Sequence, residues 1–336
     1  MDVLVLGGSG FVGRHLTRHL ASAGMRPQAA SRHGNSLYLD TCDSDALTAA
    51  LHRCDAVVNA VAGSARAMDE GARLLAQALR QVGGRPLVHL SSLAVYAEAD
   101  ARAGIWPEAS WMPGSAAAPV HTGYARAKRA AEAHLAVLAR EGLPVSVLRP
   151  GCVWGPGSPL WVTRIADLLA AGRLGDLGAA GDGWTQGVHV QDLCEAVLRL
   201  LQSESAGAAP RVYNLAAPDS PRWNHYLRDL ALAIGAKPVR RLPAWQLALD
   251  GWVAGPPLYL AQRLGGARRW PPLTPSLLRL MRGTACMETF AAQSALGLRW
   301  TSYERALEEA ADAWRTHRRA SASRSARARN SGLPAR

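Results

Sequence analysis

The chain has 336 residues, 49% of them hydrophobic and only 19% charged, with a formal net charge of +12. Such a composition supports a substantial core and excludes a mainly disordered chain, and the length fits one large domain or a nucleotide-sized domain with a smaller companion. The charge invites a nucleic-acid reading, but seven arginines and no acid fall between Arg315 and Arg336, so more than half of it sits in one terminal stretch.

In chain order, Val3 to Leu6 is a short apolar run of the kind that becomes a buried strand, and Val12, Leu16, Leu20 and Ala23 recur at helical spacing. Further strands are predicted at 37–39, 56–61, 87–90 and 145–148, with helices near 66–82 and 122–140. Short apolar strands alternating with helices signal a parallel sheet covered on both faces, an α/β doubly wound architecture. After Pro150 glycine, proline and tryptophan become frequent and the alternation loosens. It returns at Gly187–Val190 as a strand, then a helix to about Gln202, then a strand at Val212–Leu215. From Pro221 onward mainly helices are predicted. The last opens at Thr301 with Glu304 three residues later, the pattern of a capping box. The domains expected are therefore 1–150, with 187–216 returning to it, and a smaller, mainly helical region over 151–186 and 217–316. The Ala/Ser/Arg-rich stretch 317–336 has no apolar period and is expected to be a solvated, disordered tail, with no specific nucleic-acid partner.

No apolar run reaches the roughly 20 residues that cross a bilayer. The nearest, Trp245 to Leu264, is broken by Asp250, Pro256, Pro257 and Arg263. No basic lead or cleavage site precedes the strand at Asp2, and the five cysteines include no C-x-x-C pair. Reduced thiols, no zinc site and a cytoplasmic location are expected.

Three motifs carry chemistry. The first strand runs directly into Gly7-Gly8-Ser9-Gly10-Phe11-Val12-Gly13 and then a helix. Glycines at 7, 10 and 13 suit a tight turn, a close approach of pyrophosphate to the backbone, and tight packing of helix on strand. The helix N-terminus then offers unpaired N–H groups to phosphates. An acid about 20 residues on would hold the ribose hydroxyls of NAD; here Ser31-Arg32 stands instead, and arginine suits a 2′-phosphate, so NADP(H) is expected over NAD(H). The second motif is Tyr124-Ala125-Arg126-Ala127-Lys128. Positions i and i+4 share a helix face, so the ammonium is expected beside the phenol, lowering its pKa from about 10 and making it a usable general acid or base. Lys128 and Lys237 are the only lysines in the chain, so one of them at this spacing is informative. The third is Ser91-Ser92, just beyond the strand 87–90, where parallel sheets bind ligands and where a serine can hold a substrate oxygen.

Together these residues resemble the extended short-chain dehydrogenases/reductases, the NAD-dependent epimerase/dehydratase family, over nearly the whole chain from Val3 to about Trp314. The resemblance implies a Rossmann fold with a smaller, mainly helical C-terminal substrate domain. It places the family's acidic residue near adenine at Asp40, its catalytic serine at Ser92, four residues ahead of Tyr96, and its Tyr/Lys pair at Tyr124 and Lys128, with the usual glutamate at Glu132. The stretch from Arg149-Pro150 through Val153 is similar to the segment beside the nicotinamide, and Val188–Asp192 and Tyr213–Leu215 are similar to later family motifs. By this resemblance the cofactor touches Gly7, Ser9, Gly10, Phe11, Val12, Gly13, Arg32, Asp40, Ala60, Ala62, Lys128, Pro150 and Val153. Tyr124 would move the proton, Lys128 would bind the nicotinamide ribose, and Ser92 would hold the substrate oxygen. Asp192 reads as structural, an acid opening a helix. Relatives are often homodimers, although nothing in the sequence marks an interface.

Sugar-nucleotide enzymes of this type usually carry Arg-Asp-Phe after Gly-Asp-Gly. Here Gly181-Asp182-Gly183 leads into Trp184-Thr185-Gln186-Gly187, without the arginine. The C-terminal layout is closest to the 3β-hydroxysteroid dehydrogenase and dihydroflavonol reductase-like branch, whose substrates are apolar. Trp106, Trp111, Trp154, Trp161 and Trp184 are candidates for an apolar pocket. The expected activity is reduction of a ketone or aldehyde on an apolar small molecule. A nucleotide-sugar epimerase or dehydratase, and a non-catalytic NADPH-binding sensor or assembly factor, are the alternatives.

Overall fold

The computed structural model describes residues 1–34, 36–96, 104–106, 122–203, 211–236, 239–249, 253, 257 and 275–330. They form two compact units. The first comprises Met1–Val153, Gln186–Pro218 and Thr284–Thr301; the second comprises Trp154–Thr185, Asp219–Gly283 and Ser302–Arg336.

The first unit is built on β1 (Asp2–Leu6), β2 (Arg26–Ser31), β3 (Leu37–Tyr38), β4 (Ala56–Asn59), β5 (Leu87–Leu90), β7 (Val145–Pro150) and β10 (Arg211–Leu215). The order across the sheet is β10-β7-β5-β4-β1-β2-β3, with parallel pairing throughout. This is a doubly wound order that reverses between β1 and β4, and ligands bind at such a reversal, outside the carboxyl ends of the strands. Because side chains alternate along a strand, each strand feeds two cores. Val3, Val5, Val58, Val88, Leu90 and Leu148 pack with Leu16 and Leu20 of α1 (Phe11–Ser22) and with Leu193 and Val197 of α6 (Val190–Gln202). On the opposite face Leu4, Leu6, Val57, Leu87, Val145 and Val147 pack with α2 (Ser44–Leu51), α3 (Ala65–Gln81) and α4 (Gly123–Arg140). The caps are local: Asp43, Ser64 and Thr122 each accept from backbone N–H groups at the start of α2, α3 and α4.

β2 is the strand that local patterning does not announce. Arg-Pro-Gln-Ala-Ala-Ser has no β-branched residue, and Pro27 stands in its register opposite Val3. Tertiary context supplies the reason. Ala30 O accepts from Gly7 N at 2.9 Å and Gly8 N at 3.1 Å, so the glycine turn is bonded to the end of this strand. A Cβ on Gly8 would lie 2.6 Å from Ala29 Cβ, so both residues must be small.

Among the described residues two short sheets accompany it: β6 (Ile105–Trp106) with β11 (Cys286–Met287), and β8 (Cys152–Trp154) with β9 (Gly187–His189). The expected strand near 187 therefore forms, but outside the main sheet. The segment 284–301, assigned from sequence to the substrate region, belongs to the first unit. Gln186, buried and at a positive φ of 49°, donates to Ala285 O and accepts from Met287 N at 3.0 Å. Asp192 accepts from Thr301 N at 3.0 Å and from its hydroxyl at 2.7 Å. Between these clamps α10 (Phe290–Leu296) puts Ala292 and Leu296 into the core beside α6.

The second unit is mainly helical: α5 (Arg164–Ala170), α7 (Trp223–Ala233), α8 (Ala244–Leu249), α9 (Pro275–Arg282) and α11 (Tyr303–Asn330). Two expectations change here. The cap of α11 is Ser302, whose hydroxyl accepts from Arg305 N at 3.4 Å, while Thr301 is engaged by Asp192. The basic stretch after residue 316 continues this helix to Asn330 instead of losing structure. Alanine and arginine are both strong helix formers, so a helix already running has no local reason to stop. All five cysteines are free thiols, and no described helix is long and apolar enough to cross a membrane.

Candidate active site

The glycine loop joins β1 to α1 at the carboxyl edge of the sheet. Gly7 has φ +80°, and a Cβ there would meet Ala60 O at 2.7 Å. Gly13 lies in α1, and a Cβ there would stand 2.3 Å from Gly7 O, so helix and loop are in backbone contact. Gly10 differs: an added Cβ would meet Gly7 O at 3.2 Å and nothing else within 4 Å. Its open side lies at the N-terminus of α1, where the cap carries no side-chain acceptor for the first-turn N–H groups, which a helix leaves without intrahelical partners. This geometry fits a dinucleotide pyrophosphate. Ser9 O accepts from the Arg14 guanidinium, and a Cβ placed on Gly34 would stand 3.4 Å from Ser9 Cβ. The segment after β2 therefore borders the cradle. Arg32 stands there, its guanidinium 4.0 Å from the Asp40 carboxylate. Asp40 also accepts from Cys42 N at 3.0 Å, a turn contact that fixes its own loop. Ala60 and Ala62 follow β4, with Ala60 N bonded to Leu6 O at 2.9 Å. Pro150 ends β7, and Val153 lies in β8.

Ser92, Tyr124 and Lys128 gather beyond the end of β5. Ser92 opens a short 3-10 turn over Leu93–Val95, and its oxygen accepts from Ala94 N at 3.2 Å. The hydroxyl proton is thus free for another acceptor, and Ser92 stands close enough to the Tyr124 phenol to act on its pKa. The serine caps the turn and faces the proposed site at once. Tyr124 is 40% exposed, yet packing near its hydroxyl raises its pKa above the ordinary value, with the nearby Ser92 hydroxyl pulling the other way. The expected lowering of this pKa by Lys128 is not what the geometry produces. Lys128, 2% exposed, donates to Leu90 O at 2.6 Å and to Val61 O at 3.1 Å, so its ammonium is held by main-chain carbonyls at the ends of β5 and β4. Burial pushes Lys128 down to about 8, with the Glu132 charge pulling it back up.

Behind this trio lies a polar chain that sequence reading named only in pieces. Arg149, fully buried on β7, donates to Glu132 at 2.8 and 3.1 Å and to the Tyr96 hydroxyl at 3.1 Å. Tyr96 donates to Asn214 Oδ1 at 2.7 Å, and Asn214 Nδ2 donates to Trp106 O at 3.1 Å. The motif residues Tyr96, Glu132, Arg149 and Asn214 thus meet in the fold, which no spacing along the chain could indicate.

The tryptophans do not gather as one wall. Trp106 is 8% exposed and stacked on Tyr96 with ring centroids 5.1 Å apart. Trp154 is 7% exposed and packs on Tyr226 and Tyr303 in the second unit. Trp161 packs on the buried Trp223. Trp184 is partly exposed, with the Arg222 guanidinium 4.7 Å from its ring centre. Trp111 lies outside the described residues.

The comparisons agree with this architecture. The model of the NAD dependent epimerase/dehydratase family matches residues 3–216, and the chain belongs to that family. It is 30% identical over 307 residues to a 3-diazoavenalumate denitrifying reductase of a Streptomyces species, covering 82% of this chain and 97% of that protein. It is 27% identical over 327 residues to the 2-alkyl-3-oxoalkanoate reductase of Stenotrophomonas maltophilia strain K279a, covering 90% and 92%. Among solved structures, the UDP-glucose 4-epimerase of Thermotoga maritima with UDP-glucose superposes with a TM-score of 0.71 at 20% identity, covering 94% of this chain and 99% of that one, a likeness of fold. The protein is an NAD-dependent oxidoreductase of the extended short-chain dehydrogenase type.

Proposed function

We propose that the protein is a reductase of a ketone or aldehyde on an apolar small molecule, with NADP(H) preferred over NAD(H) and Tyr124 as the proton donor. The meeting of Ser92 and Tyr124 beyond β5, with Lys128 one turn further along α4, carries this reading. When bound, the nicotinamide supplies the hydride. The residues suited to hold the cofactor are the glycine loop for the pyrophosphate, Arg32 for a 2′-phosphate, and Lys128 for the nicotinamide ribose. Ser92 would hold the substrate carbonyl oxygen, and Tyr124 would give that oxygen its proton as the carbonyl carbon is reduced, leaving an alcohol. A phenol with a raised pKa is protonated at neutral pH, which suits an acid in the reductive direction.

Two features favour a reductase within the family. Both curated relatives are named reductases, and the name of one puts the reacting ketone on an alkyl-substituted chain. Thr185 and Gln186 stand where sugar-nucleotide enzymes carry their arginine segment. Both are buried and spent on backbone contacts, Thr185 to Pro221 O at 2.8 Å and Gln186 to Ala285 and Met287. A nucleotide-sugar epimerase or dehydratase is the second reading, favoured by Arg222, which brings a guanidinium onto Trp184 from elsewhere in the chain.

The test is to denature freshly purified protein, identify any nucleotide released, and then follow NADPH oxidation with 2-alkyl-3-oxoalkanoates and a panel of apolar ketones. A protein that is purified empty, binds NADPH reversibly and reduces such a ketone supports the proposal. Tightly held NAD(H) or NADP(H), with turnover of a UDP- or dTDP-sugar in the absence of added reductant, would replace it by the second reading.

A further inference from the structure

Lys128, Glu132 and Arg149 are each no more than 2% exposed, so two cations and one carboxylate share the interior of the first unit. Lys128 and Glu132 lie one turn apart on α4 and therefore on one face; Arg149 reaches Glu132 from β7. The bonding is unequal. Arg149 makes a two-pronged ion pair with Glu132, which also accepts from the Ser91 hydroxyl. Lys128 has its two carbonyl acceptors, Leu90 O and Val61 O. Among the described residues no second carboxylate acts on Lys128. His89, on β5, is fully buried, its ring has no hydrogen-bond partner, and burial together with the Lys128 charge keeps it neutral. Tyr124 carries its proton. Asp69, from the neighbouring α3, is paired with His134 at 2.9 Å.

We propose that Glu132 is the positioning residue for Lys128: one buried carboxylate divided between Arg149, which it bonds, and Lys128, which it steadies as an ammonium one turn away. The role rests on the Tyr124–Lys128 chemistry proposed above, but its test needs neither substrate nor cofactor. The two partners of Glu132 must respond in opposite directions. Neutralising Glu132 takes away the carboxylate that steadies Lys128 against its burial and drives off its proton. Removing Arg149 leaves the carboxylate to Lys128 and holds the proton more tightly. A merely structural role predicts loss of stability in both cases and no opposition of sign.

Only two lysines occur in the chain, so full-length protein labelled with carbon-13 at the lysine ε position gives two side-chain signals, and Lys237→Arg leaves Lys128 alone. Titration by NMR is expected to find the Lys128 midpoint near 8, against about 10.4 for an ordinary lysine. In Glu132→Gln it should fall by about one pH unit or more, in Arg149→Met it should rise by a similar amount, and the double variant should lie between. Two single variants moving in the same direction, or a Glu132→Gln midpoint within a few tenths of the parent, would overturn the proposal. If Glu132→Gln does not fold, Arg149→Met decides alone, since a midpoint that fails to rise is equally fatal. Opposite shifts together with a fully active Tyr124→Phe enzyme would leave this inference standing and remove the reading of the reaction.

Discussion

Gly10 and Gly13 are three residues apart in one motif, yet alanine at each should fail differently. At position 13 the new Cβ would stand 2.3 Å from Gly7 O, 2.7 Å from Gly8 Cα and 2.9 Å from Gly8 C. All three are backbone atoms, so no side chain can rotate away, and α1 must lift from the loop. Overpacking of this kind costs about 1–3 kcal/mol, and Gly13→Ala should melt several degrees lower as well as lose cofactor. Position 10 has φ −69° and ψ 173°, ordinary values for any residue, and its single close neighbour is at 3.2 Å. Alanine is a poorer N-cap than glycine by roughly 0.5–1 kcal/mol, and reduced freedom in the unfolded chain returns about as much. Gly10→Ala should therefore keep its stability while its Cβ occupies the path of the pyrophosphate. Loss of one charge-assisted hydrogen bond, about 1.5–3 kcal/mol, corresponds to roughly ten- to a hundredfold weaker binding. Thermal melts of both variants, paired with calorimetric titration of NADPH and NADH, read the two effects separately. A Gly10→Ala protein that binds NADPH like the parent, or a Gly13→Ala protein that melts with it, refutes this account of the cradle.

Tyr124→Phe should lower kcat for ketone reduction by about a hundred- to ten-thousandfold with NADPH affinity unchanged; near-parental turnover would remove Tyr124 from the chemistry. On the proposed reading, reduction needs Tyr124 protonated and Lys128 charged. Since Lys128 is pushed down to about 8 while the Tyr124 phenol is raised, kcat/KM for reduction should hold through neutral pH and fall above about 8 as the ammonium is lost; a profile still level near pH 10 would contradict that assignment. Arg32→Asp should invert the cofactor preference, weakening NADPH more than tenfold while sparing NADH, and equal losses for both would show that Arg32 does not read the 2′-phosphate. Asp192→Ala should cost about 1.5–3 kcal/mol by leaving Thr301 unbonded, and limited proteolysis should then cut within 284–301 before the rest of the first unit; unchanged protection would show that the clamp contributes nothing.

Much of this protein was legible along the chain because its signals are local. The loop Gly7 to Gly13 sits between an apolar run and a helical period. The i, i+4 spacing of Tyr124 and Lys128 implies one helix face, and Ser92 follows a buried strand. What required the fold is whatever depends on neighbours distant in sequence. β2 has no strand-forming pattern of its own and exists because β1 templates it and the glycine turn is bonded to its end. The allegiance of 284–301 was decided by Gln186 and Asp192, about a hundred residues earlier in the chain. The protonation of Tyr124 and Lys128 was misjudged from spacing alone. Two residues on one face were expected to act on each other, but a buried ammonium takes the nearest strong acceptors, and those are carbonyls at the ends of β4 and β5. Periodicity reports which way a side chain leaves its own helix; what it meets there, and therefore how its charge behaves, is settled by the elements packed opposite.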